Sequence, residues 1–281
     1  MSLSVVIPTL NCREMVEAHL QTMRPWLSLV DEIVVVDSYS DDGTPELIEK
    51  NLRHPKLRVM RHPRGLYQSW NFGIQQTMGD WIYISTVGDG ISKKLLQHLR
   101  SVGEELECDV VASKPQFVTV DGRPMDQVVW PIDHILRSMP SRKALRLSGV
   151  EAFLYALFSL PCAVLGSSAS NLYRGAHLRA RPFPTTFGTI GDTAWTLEYG
   201  LTTRYGFTPE SGSFFRFHPK AYSPSEYEVH DRQSKLLGLA EETLSQPDHP
   251  PEVAAMIERT RVREILRSLI ARASGQFAKS A

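Results

Sequence analysis

Short β-rich runs alternate with helical patterns along the N-terminal third of the chain, and this alternation constrains the fold more than any other sequence feature. Leu3 to Ile7 is a compact apolar run, and Glu32 to Val36 is almost entirely β-branched, as is typical of strands buried on both faces. Two further strands are predicted from Leu57 to Met60 and from Trp81 to Ser85. Because strands that alternate with helices form mostly parallel sheets, the sequence predicts an α/β fold.

The segments between these strands have helical spacing. Apolar residues three and four positions apart predict a helix from Arg13 to Leu29, and Tyr67 to Thr77 follows a similar pattern. Pro45 to Leu52 is a shorter predicted helix with Thr44 as its N-cap. Polar residues crowd directly after the strands. Since ligands of parallel sheets bind outside the carboxyl ends of the strands, we expect the binding site there.

Composition and missing motifs exclude several classes of function. The 281 residues carry 31 basic and 31 acidic side chains, so the chain has no global attraction to nucleic acid, and we expect no nucleic-acid partner. Its three cysteines are widely spaced without a metal-binding pattern, and the N-terminus lacks a signal-peptide pattern, so we expect a cytoplasmic protein. The G-x-G-x-x-G, P-loop, H-E-x-x-H and G-x-S-x-G patterns are absent, which leaves oxidoreductases and hydrolases without a site.

One apolar stretch, Gly149 to Gly166, requires a comparison with membrane spans. Glu151, Ser159 and Pro161 interrupt it, and it is shorter than the roughly 20 apolar residues that cross a bilayer. We expect a buried helix followed by a strand. The alternative is a surface that dips into a membrane, so peripheral contact at the inner membrane face stays open.

Four motifs occur in a fixed order. Val5 to Asn11 is VVIPTLN, Val34 to Thr44 is VVVDSYSDDGT, Gly65 to Ile74 is GLYQSWNFGI, and Gly79 to Ile84 is GDWIYI. They resemble the VxIPTYN start, the VVDDGSTDGT segment, the G-I-Y-x-A-x-N-x-G-I helix and the G-D/E-Y-I-x-F strand of the family 2 glycosyltransferases. Four motifs in this order are more specific than any one of them. The resemblance covers residues 1–95 well and the remainder only at islands.

The resemblance implies the GT-A fold, in which a Rossmann-like, mostly parallel sheet is flanked by helices, here with a helical C-terminal extension. It also implies inverting transfer of a sugar from a nucleotide-sugar, UDP-linked by expectation, to a hydroxyl acceptor that is a glycan, a lipid-linked molecule or a small molecule. The residues that would bind the donor are Pro8, Thr9, Asn11, Asp37, Arg64 and Asn71. Among these, Asp37 would accept a hydrogen bond from the nucleobase, and Arg64 would contact the diphosphate.

The resemblance also implies a divalent cation, Mn²⁺ or Mg²⁺. The family usually has D-x-D-D where this chain has Thr86-Val87-Gly88-Asp89, so Asp89 is the carboxylate that remains. His218, in a segment that resembles the family's R-x-H strand, is the second expected ligand. Because Mg²⁺ bound to phosphates often uses one or two protein carboxylates, Asp89 can suffice, but affinity for the free ion should be low.

Asp192 is the expected general base. It lies in Thr189 to Trp195 (TIGDTAW), which resembles the family's acidic element at the start of a helix. A position near a helix N-terminus would favour its charged form. The alternative for Asp192 is an N-cap without a role in catalysis, and Glu198 is the next candidate for the base.

The chain departs from the family pattern at further positions. Ser38 stands where a second Asp is common, and Trp70 stands where an Arg often precedes the Asn of the third motif. Arg64 or Arg216 could supply the missing positive charge, while a surface arginine is the alternative for Arg64. A degenerate relative that only binds nucleotide or glycan therefore stays open. A nucleotidyltransferase is the other alternative, although it should carry a Gly-rich basic loop after the first strand, which this chain lacks.

The expected organisation is a nucleotide-sugar-binding half at residues 1–95, an acceptor-binding and catalytic half at 96–220, and a helical C-terminal extension at 221–281. The last helix carries several arginines, for which a solvated face is the default interpretation. Packing, a homo-oligomer interface or membrane contact are the alternatives for this helix.

Overall fold

The computed structural model describes residues 1–126, 128–138, 143–217 and 226–280. Its strands in chain order are β1 Leu3–Thr9, β2 Glu32–Asp37, β3 Leu57–Arg61, β4 Trp81–Ile84, β5 Gly90–Ile91, β6 Val110–Ser113, β7 Gln116–Val118, β8 Leu145–Leu147, β9 Asn171–Arg174, β10 Tyr205–Thr208 and β11 Ser213–Arg216. The helices are α1 Arg13–Met23, α2 Thr44–Asn51, α3 Leu66–Gln76, α4 Lys93–Glu105, α5 Pro131–Ser138, α6 Gly149–Ser159, α7 Gly175–Ala180, α8 Gly191–Tyr199, α9 Glu226–Ser245, α10 Pro251–Thr260 and α11 Val262–Ser280.

The central sheet has eight strands in the order β3-β2-β1-β4-β9-β6-β10-β8. β9 and β8 run antiparallel to their neighbours, and the other neighbouring pairs are parallel. The predicted mostly parallel α/β sheet is therefore confirmed. In this register Thr9 pairs with Asp37, so the polar residues that end β1 and β2 lie side by side.

Both faces of the sheet are buried. Because successive strand residues point to opposite faces, each strand contributes side chains to two separate cores. Val6 and Val36 face a core shared with α3, α6 and α8. Val5 and Val35 face a second core shared with α1 and α4. The β-branched run of β2 is thus explained by helices on both of its faces.

A second, small sheet has the strand order β5-β11-β7, and its first strand, β5, comes shortly after β4 in the chain. β11 pairs antiparallel with β5 and parallel with β7. Asp89 directly precedes β5, so the small sheet holds the loop that resembles the metal motif.

Two predictions about the ends of helices need correction. The helix expected from Arg13 to Leu29 ends at Met23 and continues as a 3-10 segment, Arg24–Leu29, with Pro25 in its first turn. Thr44 is not the N-cap of α2. Gly43 occupies that position with φ 81°, and Thr44 donates its N–H and its hydroxyl hydrogen to Asp42 Oδ1 at 3.0 and 2.6 Å.

The apolar stretch that begins at Gly149 forms the expected helix, α6. Ser148 and Glu151 cap its start with reciprocal hydrogen bonds. The strand expected after it is absent, and residues 160–167 instead form turns in which Pro161 has no N–H to donate. No helix in the described part of the chain combines the length and the apolar character needed to cross a membrane.

Candidate active site

A cavity of about 380 Å³ lies beside the carboxyl end of β4 and the start of α8. Thr86 and Asp89 come from the loop after β4, and Asp192 comes from the first turn of α8. Trp70 and Trp130 contribute apolar surface. The structure therefore brings together the expected metal ligand and the expected base, which are far apart in the sequence.

Asp89 is almost fully buried, with 5% of its surface exposed. Its Oδ1 accepts a hydrogen bond from the Arg216 backbone N–H at 3.0 Å, and its own carbonyl accepts one from His19 Nδ1 at 3.1 Å. Burial raises the pKa of Asp89 to about 7, against a lowering by the Arg216 N–H and charge. The carboxylate thereby links the loop after β4 to β11.

Asp192 is half-buried in the wall of the cavity. Its Oδ1 accepts a hydrogen bond from the Thr193 N–H at 2.8 Å. Burial raises its pKa to about 6, although the Thr193 N–H and the Tyr67 hydroxyl lower it. The expectation that the helix start favours the charged form is therefore wrong in its net direction, because desolvation outweighs the helix N-terminus.

A second polar cluster lies at the carboxyl ends of β1 and β2. Asp37 is fully buried, and its Oδ1 accepts hydrogen bonds from the Thr9 hydroxyl at 2.8 Å and the Ser40 hydroxyl at 2.6 Å. Its Oδ2 accepts the Ser40 N–H at 2.8 Å. Asn11 is exposed and accepts the Asp41 N–H at 3.0 Å. β2, β1 and β4 are neighbouring parallel strands, so their carboxyl ends lie at one edge of the sheet. This cluster therefore lies at the same edge as Asp89.

None of these residues, nor the half-buried Pro8, belongs to the described lining of the cavity. Their contact with a nucleotide stays a prediction. Within the chain, Asp37 fastens the turn that follows β2.

The third group of expected donor ligands lies around α3. Arg64 is exposed two residues before Leu66, which lines the cavity. Asn71 has both ends of its amide engaged by Phe183, whose carbonyl accepts from Nδ2 and whose N–H donates to Oδ1, each at 2.8 Å. Asn71 thus joins α3 to the segment before α8, and its contact with the donor stays a prediction.

The metal site is incomplete within the described chain. No group of three or more Asp, Glu, His or Cys side chains that could hold an ion is present among the residues described. His218 lies outside them. Among the described residues, the Arg216 N–H contacts Oδ1 of Asp89 and no donor contacts Oδ2. A single carboxylate oxygen fits an ion that takes most of its ligands from a bound diphosphate.

Sequence reasoning missed one charged residue of this cavity. Arg232 of α9 lines it, whereas no site residue was assigned to the helical C-terminal extension from the sequence. The available signal was the spacing of Arg232 from Leu236 and Ala240, which places all three on one helical face. Ser168, whose hydroxyl lies 2.9 Å from that of Thr86, lines the cavity and was also missed.

The fold is that of an α/β protein with a candidate ligand site in the cavity beside the carboxyl edge of a mostly parallel sheet. Residues 4–159, more than half of the chain, match the family described as glycosyl transferase family 2. This chain belongs to that family and is a glycosyltransferase.

Solved structures support the same fold. A crystal structure of residues 1–349 of S. aureus TarS in complex with UDP-GlcNAc is similar to this chain with a TM-score of 0.62 and 21% identity, covering 87% of this chain and 72% of that one. The complex of the same fragment with UDP has a TM-score of 0.61 and 21% identity, covering 87% and 71%. A longer TarS structure has a TM-score of 0.62 and 20% identity, covering 90% of this chain but 41% of that one. No curated protein matches the chain significantly.

Proposed function

We propose that this chain transfers a sugar from a UDP-sugar to a hydroxyl acceptor, with inversion at the anomeric carbon. The observation that carries the proposal is that Asp89 and Asp192 line one cavity beside the carboxyl edge of the sheet. Family membership supports sugar transfer. The choice of UDP is supported by the shared fold of TarS, whose crystal structures contain UDP and UDP-GlcNAc.

Asp192 acts as the general base in this proposal. It takes the proton from the acceptor hydroxyl as that oxygen bonds to the anomeric carbon, and the bond from that carbon to the diphosphate breaks. Attack on the side opposite the leaving group inverts the configuration. A pKa of about 6 suits this task, because the carboxylate is charged at neutral pH yet remains a stronger base than an ordinary aspartate.

Asp37 and the turn that follows it bind the nucleobase in this proposal. The side chain ends a fully buried strand, and the Thr9 and Ser40 hydroxyls hold it in one orientation. A preoriented carboxylate can accept the N–H of uracil without further reorganisation. Arg64 supplies positive charge from the exposed segment before α3.

A divalent ion that arrives with the donor would neutralise the diphosphate as it leaves. Asp89 would hold it through the oxygen that does not accept the Arg216 N–H. The indoles of Trp70 and Trp130 would exclude water from the reacting carbon, which protects the donor from hydrolysis.

The test is a panel of UDP-, dTDP- and GDP-sugars and their free nucleotides, screened by thermal shift with and without Mn²⁺. We expect the UDP compounds to raise the midpoint of unfolding most, because a ligand that binds only the folded state stabilises it. Release of UDP from the stabilising UDP-sugar, lost in Asp192→Asn, would then establish turnover. Stabilisation by another nucleotide alone, or turnover unchanged in that variant, would overturn the proposal.

A further inference from the structure

The cavity has a charge problem with the donor proposed above. A nucleotide-sugar brings a diphosphate, and the cavity already contains Asp89 and Asp192. Like charges in a half-buried space oppose binding more strongly than they do in water. The segment from Thr86 to Asp89 keeps a single carboxylate, so it should bind a divalent cation weakly. Such a cation is therefore a weak source of compensating positive charge.

Arg216, whose backbone N–H contacts Asp89, directs its side chain away from the cavity. Arg216 directs its guanidinium to the protein backbone, where Nε donates to the Gly88 carbonyl at 3.1 Å and Nη1 lies 3.5 Å from the Thr119 carbonyl. It is not among the residues that line the cavity. Over the described part of the chain, the basic side chain that does line the cavity is Arg232.

Arg232 is held at the cavity by the packing of α9. Leu236 and Ala240, one and two turns later on the same face, are fully buried in the core that also contains Trp195 of α8. α9 packs directly against α8, the helix that carries Asp192. The buried face therefore orients the half-buried Arg232 side chain toward the site and away from bulk solvent.

We propose that Arg232 binds the diphosphate of the donor and stabilises the nucleoside diphosphate as it leaves. A guanidinium presents a planar set of N–H donors that matches phosphate oxygens, and its charge persists at any working pH. The C-terminal helices would then complete the active site. This inference rests on the proposed function, since it assumes a nucleotide-sugar donor.

The matched control lies on the same helix. Lys235 is 61% exposed at its side chain and pairs with Asp231 at 2.7 Å, so it carries the same charge without contact with the cavity. Lys235→Ala removes one positive charge from α9 and should leave nucleotide binding unchanged.

The experiment measures the affinities of UDP and uridine by calorimetry, with Mn²⁺ and with EDTA, in the wild type, the Lys235→Ala control and the variants of Arg232. Arg232→Ala should weaken UDP by about 10- to 100-fold, the loss expected when hydrogen bonds to a charged group disappear. Uridine affinity should not change, because uridine has no phosphate. Arg232→Lys should fall between, and Arg232→Gln, which keeps a long side chain, repeats the test if the alanine variant does not fold.

The outcomes separate this inference from the proposed function. Equal loss of UDP and uridine would mean that Arg232 only shapes the site, and an unchanged UDP affinity would also overturn the proposal. A rise in acceptor KM with unchanged UDP affinity would assign Arg232 to the acceptor instead. If the wild type binds another nucleotide but not UDP, the donor proposed above is wrong. That outcome is read from the wild type alone, whereas the variants test the role of Arg232.

Discussion

The two carboxylates of the cavity are held in surroundings that oppose their charge. Burial raises the pKa of Asp89 to about 7 and that of Asp192 to about 6, in each case against hydrogen bonds that lower it. A buried charge costs free energy of folding. Carboxylates with raised pKa values are therefore found mainly at functional sites, where the chemistry requires them. The predictions at the residue scale follow from this cost.

Asp192→Asn should reduce kcat by about 10²–10⁴-fold, the usual contribution of a general base. The amide has the same size and can still accept the Thr193 N–H, so UDP affinity should be unchanged. Glu198→Gln is the matched control, because Glu198 lies on the same helix and lines a different cavity with Arg181 and Tyr199. If Asp192→Asn kept more than a tenth of the turnover, Asp192 would not be the base.

The same substitution should make the protein more stable at alkaline pH. The folded-state pKa of Asp192 lies above its unfolded value, so its contribution to stability is present at low pH and is lost as pH rises through about 6. About two pKa units correspond to about 3 kcal/mol at most, and partial exposure reduces this to about 1–2 kcal/mol. Urea unfolding should therefore show Asp192→Asn to be the more stable form at pH 8 but not at pH 4. Equal stability at pH 8 would contradict the raised pKa.

Asp37→Ala should weaken UDP binding by about 1–3 kcal/mol, the cost of losing a charge-assisted hydrogen bond. Because Asp37 also accepts hydrogen bonds from Thr9 and Ser40, the substitution should lower stability as well. Ser40→Ala separates the two effects, since it loosens the turn but keeps the carboxylate. Calorimetry that finds equal weakening of UDP in both variants would make Asp37 a purely structural residue.

At the scale of elements, the loop after β4 and strand β11 act together. The backbone N–H of Arg216 in β11 donates a hydrogen bond to one oxygen of Asp89. The other oxygen can then bind a metal ion whose coordination shell is completed by diphosphate oxygens. Mn²⁺ should therefore raise UDP affinity, and UDP should raise Mn²⁺ affinity by the same factor. Calorimetric titration of each ligand with and without the other measures both factors.

Substitution of the two residues that are expected to hold the metal ion tests this coupling. Asp89→Asn retains an acceptor for the Arg216 N–H and should abolish the coupling, whereas His218→Ala should reduce it. UDP affinity and activity that do not respond to EDTA would show that the protein works without a metal.

The start of α8 depends on the close approach of α3. A Cβ on Gly191 would lie 2.5 Å from Cδ2 of Tyr67, so Gly191→Ala should destabilise the fold by about 1–3 kcal/mol and displace Asp192. Gly238, in the middle of α9, has no atom within 4 Å of such a Cβ. Gly238→Ala should instead stabilise the protein by about 0.5–1 kcal/mol, because alanine costs less backbone entropy in a helix. Thermal unfolding of both variants checks the contrast, which equal effects would contradict.

At the scale of the whole molecule, one hydrophobic core joins the central sheet and α8 to the C-terminal helices. Leu237 of α9, Ile257 of α10 and Leu266 of α11 are buried in the same cluster as Phe153 and Trp195. A segment that contributes to the shared core cannot be removed without exposing apolar surface on both sides. The C-terminal helices are thus an integral layer of the fold, although the sequence alone indicated an extension.

The sequence by itself determined the alternation of strands and helices and the mostly parallel sheet, and it indicated the edge at which we expect ligands to bind. Runs such as Val34 to Asp37 carry this information locally, because period, β-branching and the polar residue at the end depend on neighbouring positions. Asp89 and Asp192 were named from the resemblance of their motifs to those of the family, and their roles stay predictions.

Only the tertiary structure decided what surrounds those carboxylates. The cavity forms where the loop after β4, the start of α8 and the buried face of α9 meet, so neither the contribution of Arg232 nor the raised pKa of Asp192 could be predicted from adjacent residues. The hydrogen bonds between the Asn71 amide and the Phe183 backbone likewise could not be predicted from adjacent residues. The physical reason is that desolvation and hydrogen-bond partners depend on which distant segments pack together, and that packing is not encoded in any single motif.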